Sequence, residues 1–169
     1  MKNIILCGFM GCGKSTVGKL LADKLGMCFT DCDSRIESQE HMTVPEIFTR
    51  YGERYFRAAE STAVSRLLTL SNTVIASGGG TVLLKKNAEM FKSLGTVIFL
   101  SVNADTVIGR LKDDTSRPLL ARDDKEAAIS ALIAEREPFY KAAAHFTVNA
   151  DAGADTVTEN IIALLGHDT

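Results

Sequence analysis

Short apolar runs alternate along the chain with longer stretches in which apolar residues return every three or four positions. Asn3-Ile4-Ile5-Leu6-Cys7 predicts a buried strand, and Val17, Leu20, Leu21 and Leu25 follow at helical spacing. Met27-Cys28-Phe29-Thr30 predicts a second buried strand, and a helix starts at Asp33. Thr43-Val44-Pro45-Glu46 is a capping box with Pro in the first turn. It opens a short helix carrying Ile47 and Phe48, which stops near Tyr51-Gly52. Residues 53–70 predict a longer helix, with Phe56, Ala59, Ala63, Leu67 and Leu70 on one face. Strands at 73–76, 96–100 and 145–148 then alternate with helices at 87–94, from Ser101 or Asn103 through Lys112, at 125–140 and at 154–165. Residues 113–124 are polar and charged, include Arg117-Pro118, and read as a loop.

Five strands that alternate with helices and are apolar throughout predict an α/β fold. Its centre is a five-stranded parallel sheet flanked by helices on both faces. Ligands of such sheets gather at the carboxyl ends of the strands. Four segments lie at those ends: 8–15, 31–33, 78–80 and the loop carrying Arg117. They are distant in sequence and are expected to converge in space.

Composition narrows this picture. A chain of 169 residues suits one domain, and 46% hydrophobic residues supply a core without staples. A net charge of -2 argues against general nucleic-acid affinity, so an anionic ligand needs locally placed Lys and Arg. No apolar run reaches the length of a membrane span. A strand begins within three residues of the start, leaving no room for a targeting peptide, so a cytoplasmic protein is expected. No helix carries an obvious surplus apolar face, which favours a monomer. Cys7, Cys12, Cys28 and Cys32 lack metal-site spacing and read as reduced, mostly buried residues. Cys12 stands apart: an amide-rich loop tends to lower a thiol pKa, so alkylation is expected there.

The strongest chemical signal is Gly8-Phe9-Met10-Gly11-Cys12-Gly13-Lys14-Ser15-Thr16 between a strand and a helix. This is G-x-x-x-x-G-K-[ST], a phosphate-binding loop. Its glycines let successive N–H groups converge on an anion at a helix N-terminus. Lys14 can reach the outer phosphates of ATP, and the Ser15 hydroxyl can ligate Mg²⁺. Asp31 and Asp33 follow a strand, so one carboxylate can hold the metal's water shell while the other faces an acceptor hydroxyl. The bland alternative is a strand-end Asp and a helix cap. Gly78-Gly79-Gly80 allows close backbone approach to a ligand, where a plain connector would not need three glycines. Arg57 and Arg136 taken singly read as solvated helix charges, whereas Arg117 lies in a loop of the size of a lid.

Taken together, GFMGCGKST (8–16), DCD (31–33), GERYFRAAE (52–60), SGGGT (77–81), SRPLL (116–120) and EREPFY (135–140) resemble the shikimate kinase family. That family belongs to the P-loop, nucleoside-monophosphate-kinase-like group, and the likeness runs over nearly the whole chain. The resemblance implies a single kinase domain with a substrate-binding subregion at about 33–70 and a mobile lid at about 113–124. It implies transfer of the γ-phosphoryl group of ATP to the 3-hydroxyl of shikimate, on the way to chorismate and the aromatic amino acids. Asp33, Arg57, Gly79, Gly80 and Arg136 would bind shikimate, and Gly11, Cys12, Gly13, Lys14, Ser15, Thr16 and Arg117 would bind ATP. Lys14, Asp33 and Arg117 would be catalytic, and Ser15 with Asp31 (through water) would hold one Mg²⁺.

Position 12 departs from the pattern, since Ala or Ser is commoner there than Cys. Residues 151–154 offer no side chain that can be assigned to adenine. A related small-molecule kinase, such as a gluconate or nucleotide kinase, is the alternative, because gluconate also joins a carboxylate to hydroxyls. A nucleotide-binding module without turnover is disfavoured by the full set Lys14, Ser15, Asp33, Arg57, Arg117 and Arg136.

Overall fold

The computed structural model describes residues 2–112 and 124–166. Its strands are β1 (Asn3–Cys7), β2 (Cys28–Asp31), β3 (Thr73–Ala76), β4 (Gly95–Ser101) and β5 (Phe146–Asn149). Its helices are α1 (Lys14–Leu25), α2 (Cys32–Glu40), α3 (Val44–Leu67), α4 (Lys85–Leu94), α5 (Ala104–Arg110), α6 (Lys125–Ala143) and α7 (Ala154–Gly166). The strands form one parallel sheet in the order β2-β3-β1-β4-β5. Helices flank it: α1 packs on α7, while α4 packs on α3 and α6. Among the described residues no helix is long and apolar enough to cross a membrane.

β1 is the centre of the sheet. Ile5 lies opposite Ile75 of β3 on one side and Val97 of β4 on the other. All five β1 residues are buried, as a strand covered on both faces requires. Because its two neighbours come from opposite directions in the strand order, a crevice opens at its carboxyl end. The phosphate loop begins there.

The expectation that β2 is buried is not met. β2 forms an edge of the sheet, so Cys28 is exposed and Phe29, Thr30 and Asp31 are only partly covered. β5, at the other edge, is likewise half open. An apolar run in the sequence does not distinguish a central strand from an edge. Other boundaries shift by a few residues. α2 starts at Cys32 rather than Asp33, because Asp31 caps it. α3 spans both helices expected between 44 and 70, but Gly52 (φ 79°, ψ 175°) breaks it where a stop is predicted, and it ends at Leu67. The Thr43–Glu46 capping box is present in full. A short 3₁₀ turn, Thr81–Leu83, precedes α4, which starts at Lys85. Ile36, Ile47, Phe56 and Ala63 of α2 and α3 form a small apolar cluster separate from the main core. Most of the predicted lid, 113–123, lies outside the described residues, and Arg117 with it.

Candidate active site

The phosphate loop curls as its glycines allow. Gly8, Gly11 and Gly13 take φ values of 146°, 74° and 96°, a region that residues with a Cβ rarely adopt. Gly13 caps α1 with no side chain, so the first N–H groups of the helix are left to a ligand. The Lys14 ammonium lies against the loop, donating to the carbonyls of Gly8 (2.8 Å) and Phe9 (3.0 Å). The Cys12 sulfur also accepts from Lys14, at 3.7 Å. The Cys12 side chain turns inward and is 1% exposed, beneath the position that a Cβ on Gly8 would take. That overturns the expected alkylation of Cys12, because a reagent cannot reach a thiol folded under its own loop. The solvent-facing thiol is Cys28. Burial pushes the neighbouring Cys7 thiol up to about 12, with Lys14 pulling the other way, so Cys7 stays protonated.

Asp31 does two jobs at once. Its Oδ1 accepts the backbone N–H of Asp33 (3.0 Å) and Ser34 (3.3 Å), capping α2. Its Oδ2 accepts the Ser15 hydroxyl at 2.5 Å. The bland reading of the D-x-D pair was therefore half right: Asp31 is both the strand-end residue and the cap. The same contact joins two hard oxygen donors at the mouth of the phosphate loop. Among the described residues no three His, Cys, Asp or Glu side chains cluster as a protein-only metal cage. A Mg²⁺ ion at Ser15 and Asp31 would draw its other ligands from phosphates and water, which is how that ion usually binds.

Asp33, Glu60 and Thr81 meet around Gly78. A Cβ on that glycine would come within 2.7 Å of Asp33 Oδ1, 2.8 Å of Thr81 Oγ1 and 2.9 Å of Glu60 Oε1. Thr81 donates its hydroxyl to Glu60 Oε1 at 2.7 Å. The other Glu60 oxygen accepts Arg57 Nη1 at 2.6 Å. Glu60 is 2% exposed, a position a carboxylate tolerates only when paired and hydrogen-bonded. Arg57 also reaches Glu53, on the solvent side, at 3.3 Å. Burial lowers the Arg57 pKa, but the hydrogen bond and charge of Glu60, then those of Glu53, outweigh it and hold the guanidinium above its ordinary value. The guanidinium packs on Gly80, whose Cβ would fall 2.5 Å from Nη1.

Arg136 approaches from α6. Its guanidinium lies over the Phe9 ring, 5.8 Å from the centroid. Tyr140, one helical turn further along α6, donates to the Gly79 carbonyl at 2.6 Å. Arg57 thus packs on the glycine turn itself, and Arg136 lies on the helix that bonds it. On the other side of the phosphate loop, Arg110 closes α5. It donates to the carbonyls of Ala150 (2.7 Å), Ala152 (2.9 Å) and Gly11 (3.3 Å). It joins the phosphate loop to the segment after β5, where no adenine contact could be assigned from the sequence.

Sequence reasoning missed Glu60, Tyr140, Phe9 and Arg110. Glu60 left a trace, three residues after Arg57 on one helix face. Tyr140 left a similar one, four residues after Arg136. Arg110 left none, because its partners are backbone carbonyls some forty residues away.

With this geometry in place, the chain can be set beside known proteins. The family model for shikimate kinase matches residues 10–166. A shikimate kinase of Caldicellulosiruptor bescii is 42% identical over 97% of this chain and 95% of its own. One from Geobacter sulfurreducens is 39% identical over 95% of this chain and 84% of its own. The solved shikimate kinase from Acinetobacter baumannii in complex with shikimate has a TM-score of 0.95 and 35% identity, covering 100% of this chain and 95% of that one. A gluconokinase from Sinorhizobium meliloti reaches a TM-score of 0.62 at 16% identity, with 98% and 92% covered, a likeness of fold alone.

Proposed function

The chain belongs to the shikimate kinase family, and from that membership we propose that it transfers the γ-phosphoryl group of ATP to the 3-hydroxyl of shikimate. The observation that carries this reading is the match over the whole chain to a shikimate kinase holding shikimate. The gluconate alternative rests on fold alone.

The chemistry of the site fits the acceptor. Shikimate has one carboxylate and three hydroxyls. Two guanidinium groups suit the carboxylate through paired N–H contacts. Arg57 packs on Gly80, and Arg136 lies over Phe9 on the helix whose Tyr140 bonds Gly79. Asp33, whose Oδ1 lies against Gly78, would orient the attacking hydroxyl and accept its proton. Lys14 and the loop N–H groups of residues 11–16 hold the phosphates in line with that hydroxyl. Ser15 and Asp31 would hold Mg²⁺, which when bound neutralises phosphate charge and fixes the phosphates' orientation. Arg110, between Gly11 and the Ala150–Ala152 carbonyls, forms the wall on which the base would rest. Arg117 keeps the role that the resemblance implies, a lid residue that contacts ATP and excludes water. The α2–α3 subregion, with its own small apolar cluster, is read as the part that closes over shikimate.

An assay coupled to ADP release tests the acceptor. Turnover with shikimate should far exceed turnover with gluconate or any nucleoside monophosphate. No turnover with shikimate would overturn the reading. Gly80→Ala tests the geometry. The added methyl would strike the Arg57 guanidinium at 2.5–2.9 Å. That group ends a flexible side chain, so it swings away and the fold survives. The expected result is an increase of about tenfold or more in the KM for shikimate with the KM for ATP little changed, and a lower melting temperature, because the buried Glu60 carboxylate loses its cation. A wild-type KM would remove Arg57 from the carboxylate site.

A further inference from the structure

The first residues of the phosphate loop meet more than the nucleotide end of the site. Phe9 is 2% exposed although it belongs to a ligand-binding loop. Its carbonyl accepts the Lys14 ammonium at 3.0 Å, beside the Gly8 carbonyl at 2.8 Å. The same oxygen accepts the Cys12 N–H at 3.2 Å. Its ring carries the Arg136 guanidinium, 5.8 Å from the centroid. The glycine turn leans on the same stretch: a Cβ on Gly79 would lie 3.6 Å from the Met10 nitrogen and 3.9 Å from the Gly8 carbonyl oxygen. Phe9 therefore meets a cation at each end of the proposed site, one with its backbone and one with its ring.

We propose that Phe9 is a positioning residue for the acceptor's carboxylate: its ring seats Arg136, and its carbonyl anchors that seat to Lys14 and the phosphate loop. This rests on the reading that Arg136 binds that carboxylate. The two halves of the device differ physically. A carbonyl takes an ammonium through its lone pair, as the backbone of any residue would at this position. A ring draws a guanidinium through the negative face of its quadrupole, and most strongly where water is excluded. Phe9 is covered, so its ring meets that condition. The phosphate-loop pattern leaves this position open, and the ring gives it a second duty toward the acceptor. Ile133 and Tyr140, about one turn to either side of Arg136 on α6, line one cavity with Phe9. Packing alone therefore leaves α6 slack at this point, and the contact between guanidinium and ring supplies the fixed direction.

The test replaces Phe9 in the full chain by mono-, di- and trifluorophenylalanine, and separately by Leu, with steady-state kinetics and thermal melting as readouts. Fluorine keeps the shape of the ring and withdraws charge from its face, so the packing stays and the seat weakens in steps. The KM for shikimate should rise with each fluorine, to about three- to tenfold for the trifluoro ring, with the KM for ATP, kcat and the melting temperature little changed. Phe9→Leu keeps the backbone carbonyl and an apolar side chain, and should raise the KM for shikimate by about as much or more. A KM that stays flat across the fluorinated series, or equal rises in both KM values, would make Phe9 a packing residue only and overturn the proposal. Arg136→Lys separates the two readings. A flat series beside a raised KM in Arg136→Lys overturns the role of Phe9 alone. A wild-type KM in Arg136→Lys overturns the carboxylate reading, and the proposal with it. If Phe9→Leu does not fold, the fluorinated series decides by itself.

Discussion

Asp33→Asn should lower kcat by about 10²- to 10⁴-fold while ATP still binds with near wild-type affinity. Asn keeps the shape of the side chain and its ability to meet a hydroxyl, but it cannot accept a proton. A general base contributes a factor of that size when the attacking group is an alcohol, whose own pKa is far above neutrality. Asp33 has the place for the role. Its Oδ1 lies against Gly78, one residue from the Gly79 carbonyl that Tyr140 binds and three from Thr81. Nucleotide binding is carried by other residues, the phosphate loop and its lysine, so the two effects separate. Single-turnover rates together with the dissociation constant of ATP provide the check. A kcat near wild type would exclude Asp33 as the base and leave it as a binding residue.

Glu60→Gln should raise the KM for shikimate by about 10- to 100-fold, as expected when a charge-assisted hydrogen bond holding a binding residue is lost. Glu60 touches no ligand in the proposed site, yet it spends one oxygen on Arg57 and the other on Thr81. Gln matches its volume but brings no charge. Arg57 would then be left with Glu53, which is 68% exposed on its side-chain surface and pulls toward solvent. A lone exposed ion pair contributes little, so the guanidinium loses its fixed direction. The stability cost should be about 1–3 kcal/mol, because a buried amide replaces a fully satisfied carboxylate. Urea denaturation and the KM for shikimate report the two effects separately. An unchanged KM would mean that Arg57 is oriented without Glu60.

How much of this was legible beforehand depends on the range of each interaction. The phosphate loop, the Asp31 and Asp33 pair and the triple glycine were readable because their chemistry lies within a few consecutive residues. The capping box at Thr43 and the break at Gly52 were readable for the same reason. The inward turn of Cys12 was not. The loop suggested a reactive thiol, whereas packing against the Gly8 backbone decided that the thiol is covered. Whether β2 lies inside the sheet or at its edge was equally hidden, since the strand order appears only when all five strands pair.

By itself, the sequence determined the fold class, the nucleotide end of the site and the residues available to meet an acidic acceptor. Those follow from apolar periodicity, from backbone freedom at glycine and from side-chain type, which are local properties. Only the tertiary structure decided how the arginines are held. The Thr81–Glu60 bond spans 21 positions, the Arg110–Ala150 bond 40 and the Tyr140–Gly79 bond 61. Such contacts depend on how α3, α5 and α6 pack over the carboxyl ends of β1, β3 and β4. No local pattern encodes that distance, because each partner alone reads as an ordinary helix residue or a backbone carbonyl.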